Sequence, residues 1–247
     1  MPWGFFTPLH IATLLFLPIF IFGLHFLLRH RSQKTQTTVL GILSFLGMAA
    51  VLYNLIFTGN PWENLPLHLC AFIAFTLPIV VFTKNKTWGN VLLVWCLGAL
   101  AALILNNNIA EEPFLSWGVF FYYAPHVVEF GIPLLLVSLG HVKKDPKCIL
   151  TTVGITMGLY TVVHFINVGL NKWFQAAQIR NPSGDIVFAN YMYSLEPNNP
   201  MCALFQKWIP GPYWFMYLAV PILVVYLLIV YAPDIVRKWK DKEKKAV

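Results

Sequence analysis

Seven stretches of this chain contain no Asp, Glu, Lys or Arg: residues 1–28, 35–62, 64–83, 87–110, 113–128, 148–171 and 208–233. A bilayer core takes about 20 consecutive apolar residues in a helix. In hydrocarbon the backbone must satisfy its own hydrogen bonds, which leaves helices or closed barrels. The Leu, Ile, Val and Phe runs lack the every-second-residue alternation of a barrel strand. The expected fold is therefore all-α: a polytopic membrane protein with seven transmembrane helices near 8–28, 38–58, 66–83, 89–106, 119–140, 149–170 and 213–232, in one domain over 1–247. Only 11% of residues are charged, against about 25% in soluble domains. That excludes a soluble globular protein and a nucleic-acid-binding chain, despite a net charge of +7.

Orientation follows from the basic residues between spans. The first loop carries three, the third two, the fifth three and the C-terminal tail six. The N-terminal segment and loops two and four carry none, and the long sixth loop has three (Lys172, Arg180, Lys207). This alternation expects the N-terminus outside and the C-terminus inside. The segment MPWGFFTPLH lacks the basic start of a signal peptide, so the first apolar stretch is expected to stay in the membrane. The tail, 233–247, reads as a basic cytoplasmic anchor near anionic lipid head groups. Asn85-Lys86-Thr87 has the form of a glycosylation acceptor but falls in an expected inner loop. Residues 171–212 form the one long connection and read as an extracytoplasmic lid. Its turn-rich centre, 181–185, is flanked by segments that could pair as a short hairpin, and a brief helix is expected near 200–208. The four cysteines show no CxxC and no regular spacing, so neither a disulfide scaffold nor a zinc ribbon is read.

An ionisable group in hydrocarbon is costly and points to function. With this topology, His68 and Cys70 open the third span, Tyr53 and Asn54 lie in the outer part of the second, and Asn106, Asn107 and Asn108 end the fourth. His126 lies a turn below Tyr122 and Tyr123 in the fifth, while His164 and Asn167 close the sixth. These residues share one level below the outer surface, whereas the inner halves are almost purely apolar. A one-sided polar layer suits a buried site better than a conduction path, which needs polar groups at all depths. Cys70 with His126 makes a candidate nucleophile and base, since imidazole can generate the reactive thiolate. Alone, either residue is ordinary packing. Glu129, three residues from His126 on the same helix face, either orients that histidine or is a protonated acid bonded to a neighbour such as Asn54 or His164. His68, His126 and His164 could instead bind a metal, although nothing in their spacing demands it.

Four motifs carry a resemblance: LPLHLC (65–70), YYAPHVVEF (122–130), NYMY (190–193) and GPYWFMY (211–217). They resemble the YwaF-like bacterial integral membrane family. That family is distantly similar to a eukaryotic transmembrane family that transfers fatty acyl chains between glycerophospholipids. The resemblance implies a seven-helix protein whose catalytic cysteine and histidine are Cys70 and His126. The chain departs from the family's GPWPWY-like string at Tyr213 and Phe215. The expected function is a membrane lipid acyltransferase or transacylase, with Glu129 completing the catalytic group. His68, Asn54, Asn107, His164, Asn167, Asn190 and Tyr191 would line the substrate site. Its partner would be a membrane phospholipid or acyl chain, with no cofactor. The alternatives are a metal-dependent intramembrane lipid hydrolase and a non-enzymatic small-ligand carrier or receptor. No lysine lies in 213–232 for a retinal Schiff base, and no inverted repeat marks a carrier.

Overall fold

The computed structural model describes residues 2–57, 60–105, 109–198 and 200–246. These residues form α1 (Pro8–Leu28), α2 (Gln33–Phe57), α3 (Leu69–Thr83), α4 (Lys86–Leu105), α5 (Trp117–Ser138), α6 (Cys148–Ala176), α7 (Pro200–Trp208) and α8 (Ala219–Ala246). Among the described residues there is no β-sheet, only two isolated bridges. The chain is a multi-pass membrane protein by its helices. Five of them, together with the stretch Trp214–Arg237, are long and apolar enough to cross a bilayer.

The seventh expected span, α3, is shorter, at 15 residues. It starts at Leu69 rather than 66 because Pro66 breaks the pattern. The Leu67 amide turns back to the Leu65 carbonyl across the proline, and His68 is extended at φ −79°, ψ 155°. Cys70 thus moves from the second turn of an expected helix to the first turn of the observed one. Lys84 ends α3 in the left-handed region at φ 55°.

Local chemistry sets the other boundaries. Thr7 caps α1 by accepting from the His10 amide, and Pro8 follows at its first position. Ser116 caps α5 through the Val119 amide. The sixth helix continues past the expected 170 to Ala176, because Phe174 is fully buried and packs with Trp62, Val163 and Val187. The last helix begins at Ala219, after a 3₁₀ turn at Trp214–Leu218, and runs through Pro233 into the basic tail. The hairpin at 181–185 shrinks to one bridge, Arg180 with Ile186, while the brief helix after it is α7.

The bundle is organised around α5, which packs against α1, α2, α3 and α4. Ile73, Leu77 and Val80 of α3, Leu92 of α4, and Ile132 and Leu135 of α5 form a fully buried apolar core toward the lysine-rich end. Asn90 closes that end. Its Nδ2 donates to the Lys86 and Lys143 carbonyls at 2.7 and 3.2 Å, and its Oδ1 accepts from the Asp145 amide and the Tyr231 hydroxyl. Lys144 donates to the Val230 carbonyl and pairs with Asp234 at 3.1 Å. Lys86 pairs with Asp145. These bonds tie α4, the α5–α6 connection and α8 together.

At the opposite end, Trp3 is fully buried and lies edge-on to Tyr122 and Tyr123. Its amide donates to the Glu112 carbonyl and its indole to Thr13. His10 accepts the Phe6 amide at Nδ1, so Nε2 carries the proton given to the Leu103 carbonyl. The N-terminal segment thereby seals the bundle end that holds the candidate site.

Candidate active site

Cys70 is the second residue of α3 and is half-buried. Its sulfur lies within reach of the Cys70 and Ala71 amides. A helix N-terminus leaves donors unpaired and favours negative charge, which suits a thiolate or a developing oxyanion. His68 caps the helix by backbone conformation alone, without a side-chain bond to it. Its Nδ1 accepts the Met192 amide at 3.3 Å, and its ring packs against those of Tyr191 and Tyr193.

His126 is 8% exposed. Its Nδ1 lies 2.5 Å from the Tyr122 carbonyl. A carbonyl can only accept, so Nδ1 carries the proton and Nε2 keeps the lone pair of a base. Tyr122 steadies the imidazole a second time by ring contact at 4.6 Å, and its hydroxyl is anchored on the Ala102 carbonyl at 2.7 Å. Glu129 is 2% exposed, and its Oε2 has no hydrogen-bond partner among the described residues. A methyl group on Gly47 of α2 would lie 3.1 Å from Glu129 Oε1 and 3.0 Å from the Ala74 methyl of α3. The carboxyl is therefore held at the seam of three helices.

Cys70 is within electrostatic reach of Glu129, and Tyr122 within reach of Cys70, Glu129 and Tyr193. The thiol, the acid and the residue that holds the imidazole are thus brought together from α3 and α5. Among the described residues, Cys70 makes no hydrogen bond to His126, and Glu129 makes no ion pair with it. Glu129 orients nothing by direct contact here.

A strap, residues 190–194, lies against this region. Met192 and Tyr193 both occupy the left-handed region at φ 53°, a costly conformation that persists only when its surroundings enforce it. Asn167, fully buried, donates to the Tyr191 carbonyl and to Ser194 Oγ and accepts the Tyr191 amide. Asn171 grips Ala189 through both its amide and its carbonyl. Asn190 folds the following turn by bonding Leu195 and Glu196. The Tyr191 hydroxyl donates to the Trp62 carbonyl, and burial pushes this phenol up to about 12, so it stays a donor at any physiological pH. His164 bonds Ser194 and faces Tyr213. Tyr213 is itself strained, at φ 66°, ψ −57°, with the Trp214 amide closing a three-residue turn onto the Pro212 carbonyl. Tyr160, Thr161 and Tyr217 all bond it in place. The chain's departure at Tyr213 therefore sits on a tightly held turn.

Of the residues expected to line the site, Asn167, Asn190 and Tyr191 direct their polar atoms to the strap, and His164 does so in part. Asn54 lies exposed on α2. Asn107, with Asn106 and Asn108, lies outside the described residues. His68, His126 and His164 each hold a different partner, and no three His, Cys, Asp or Glu side chains cluster for a metal among the described residues. Sequence reasoning assigned Tyr122 to the interfacial belt. Its spacing of four residues from His126 was the available signal that both share a helix face. Gly47 and Ser194 carried no such signal, because their importance comes from other helices. No curated protein and no solved structure matches the chain. The family described as the TMEM164 family matches residues 5–231, so a chain with this all-helical bundle and motif set belongs to the TMEM164 family.

Proposed function

We propose that this protein is a membrane lipid acyltransferase of the YwaF-like bacterial branch, working through an acyl-cysteine at Cys70. The observation that carries the reading is the placement of Cys70 in the first turn of α3, near Glu129 and near the tyrosine that fixes the His126 tautomer. The Cys70 thiolate attacks the ester carbonyl of a membrane phospholipid, and a C–S bond forms. As the C–O bond breaks, the lysolipid oxygen takes the proton that the thiol gave to His126. The acceptor hydroxyl or amine then attacks the thioester, passes its proton to His126, and the thiol is restored. One water or the substrate's own oxygen bridges Cys70 to Nε2, since the two do not touch in the free protein. The Cys70 and Ala71 amides stabilise the oxyanion. Glu129, neutral at the helix seam, sets the field around the thiol.

In this reading the short α3 completes a seven-span domain over 1–247 in the cell membrane, with the Cys70 end outside. Residues 171–212 form the lid, and the tail at 233–247 rests on anionic lipid head groups. The donor is a lipid of the outer leaflet, because acyl-CoA is cytosolic. Purified protein in vesicles containing an acyl-labelled phospholipid should gain the mass of one acyl group, removable by hydroxylamine and mapped to Cys70. Absence of the adduct, or its location elsewhere, overturns the mechanism. A cysteine introduced at 143–147 in intact cells should resist a membrane-impermeant thiol reagent; labelling there would invert the orientation.

A further inference from the structure

The candidate site does not use the largest cavity described, a groove of about 460 Å³ lined by Asn60, Trp62, Ile179, Arg180, Asn181 and Pro182. The groove joins the connection before α3 to the centre of the lid. Asn60 Nδ2 donates to the Arg180 carbonyl and Asn181 Nδ2 to Glu63 Oε1, both at 3.4 Å. Two opposite charges therefore share one frame, with Arg180 on one wall and Glu63 on the rim. Neither makes an ion pair with the other or with any described residue. Arg180 spends two N–H groups, on the Gly184 carbonyl and on Gln178, and a guanidinium has five. Between the charges stands Trp62, edge-on to Trp173 at 4.9 Å and beside Phe174.

A separated cation and anion flanking an indole fit a ligand that carries both charges itself. Arg180 matches a phosphate. Glu63 and the indole match an ammonium, which aromatic faces attract. The geometry points to this groove as the binding site for a phosphate–ammonium zwitterion, the head group of a phosphocholine or phosphoethanolamine lipid. The assignment rests on the acyltransferase reading for its purpose. The Trp62 carbonyl holds the Tyr191 hydroxyl, and the Tyr191 ring packs on His68, the cap of the helix that carries Cys70. Trp62, Leu65, Leu67 and Phe72 form one apolar cluster along the same path. A lipid seated by its head group here directs its chains along that cluster toward α3.

The test is native mass spectrometry of the full chain in mixed micelles with equimolar phosphatidylcholine, phosphatidylethanolamine and phosphatidylglycerol, without turnover. The two zwitterionic lipids should be retained about five-fold over phosphatidylglycerol, the ratio an ion pair near the surface supports. Glu63→Gln, whose side chain supports no backbone, should bring that ratio close to one. Arg180→Gln should weaken all three, with circular dichroism confirming that the lid remains folded. Soluble glycerophosphocholine forms a second arm. Competition equal to that of the intact lipid keeps the zwitterion site but makes its ligand water-soluble, whereas weak competition assigns it to membrane lipid. Equal retention of phosphatidylglycerol by the unaltered protein, or a ratio that Glu63→Gln leaves unmoved, overturns the proposal. Head-group selection without a Cys70 adduct removes the acyl-cysteine mechanism and leaves the groove. An adduct without selection removes the groove alone.

Discussion

Replacing Cys70 by serine should abolish acyl transfer while leaving the thermal unfolding of the protein unchanged. Serine nearly matches the thiol in size, so the packing of α3 against α2, α4 and α5 survives. It lacks the nucleophilicity of a thiolate, and the helix N-terminus cannot activate a hydroxyl to the same degree. His126→Ala should lower turnover by about 10²–10⁴-fold, the usual contribution of a positioned general base. The same variant should slow labelling of Cys70 by lipophilic electrophiles, because no base remains to form the thiolate. Cys96 is fully buried in α4 and Cys148 opens α6 at the lysine-rich end, so both provide internal references. Cys202 is buried beside Met216, and all four cysteines are free thiols in this structure. An unreactive Cys70, or a serine variant that still turns lipid over, would reduce Cys70 to packing. A Cys70–Cys202 disulfide found under non-reducing conditions would do the same.

The second large effect is expected far from that chemistry. Asn90→Leu should destabilise the protein by about 3–5 kcal/mol, since buried groups that lose their partner cost about 1–3 kcal/mol each. Leucine is close to asparagine in volume but pairs with nothing. The substitution strands the Lys143 carbonyl, the Asp145 amide and the Tyr231 hydroxyl in a site where Asn90 has no exposure. The Lys86 carbonyl keeps its helical environment and should contribute little. Asn90→Asp retains the acceptor for Tyr231 and the Asp145 amide, so it should cost less than leucine. Thermal unfolding in detergent measures both. Loss of α8 docking should appear as faster proteolysis after residue 218. A leucine variant as stable as the unaltered chain would show that these bonds do not hold the lysine-rich end together.

The sequence by itself determined the membrane class, the number of apolar helices and most of their positions. The reason is that hydrocarbon acts on every residue of a span independently of its neighbours in space. A charge-free run of 20 residues is legible without knowing what it packs against. It also picked out Cys70, His126 and Glu129, because polar groups in such runs are few. The start of α3 was misplaced by three residues, since the turn around Pro66 depends on the lid packing over Leu65 and Leu67. Tyr122 read as a belt aromatic, although its carbonyl fixes the His126 tautomer. Asn167 and Asn190 read as ligand contacts, yet they hold a strap whose left-handed residues need that support. Which polar atoms remain for a substrate is settled only after the chain has used the others on itself. That accounting runs over contacts between residues more than 20 apart in the chain, as between Asn167 and Tyr191 or Gly47 and Glu129. Only the tertiary structure brings such pairs together, because each bond depends on where a second helix or loop comes to rest.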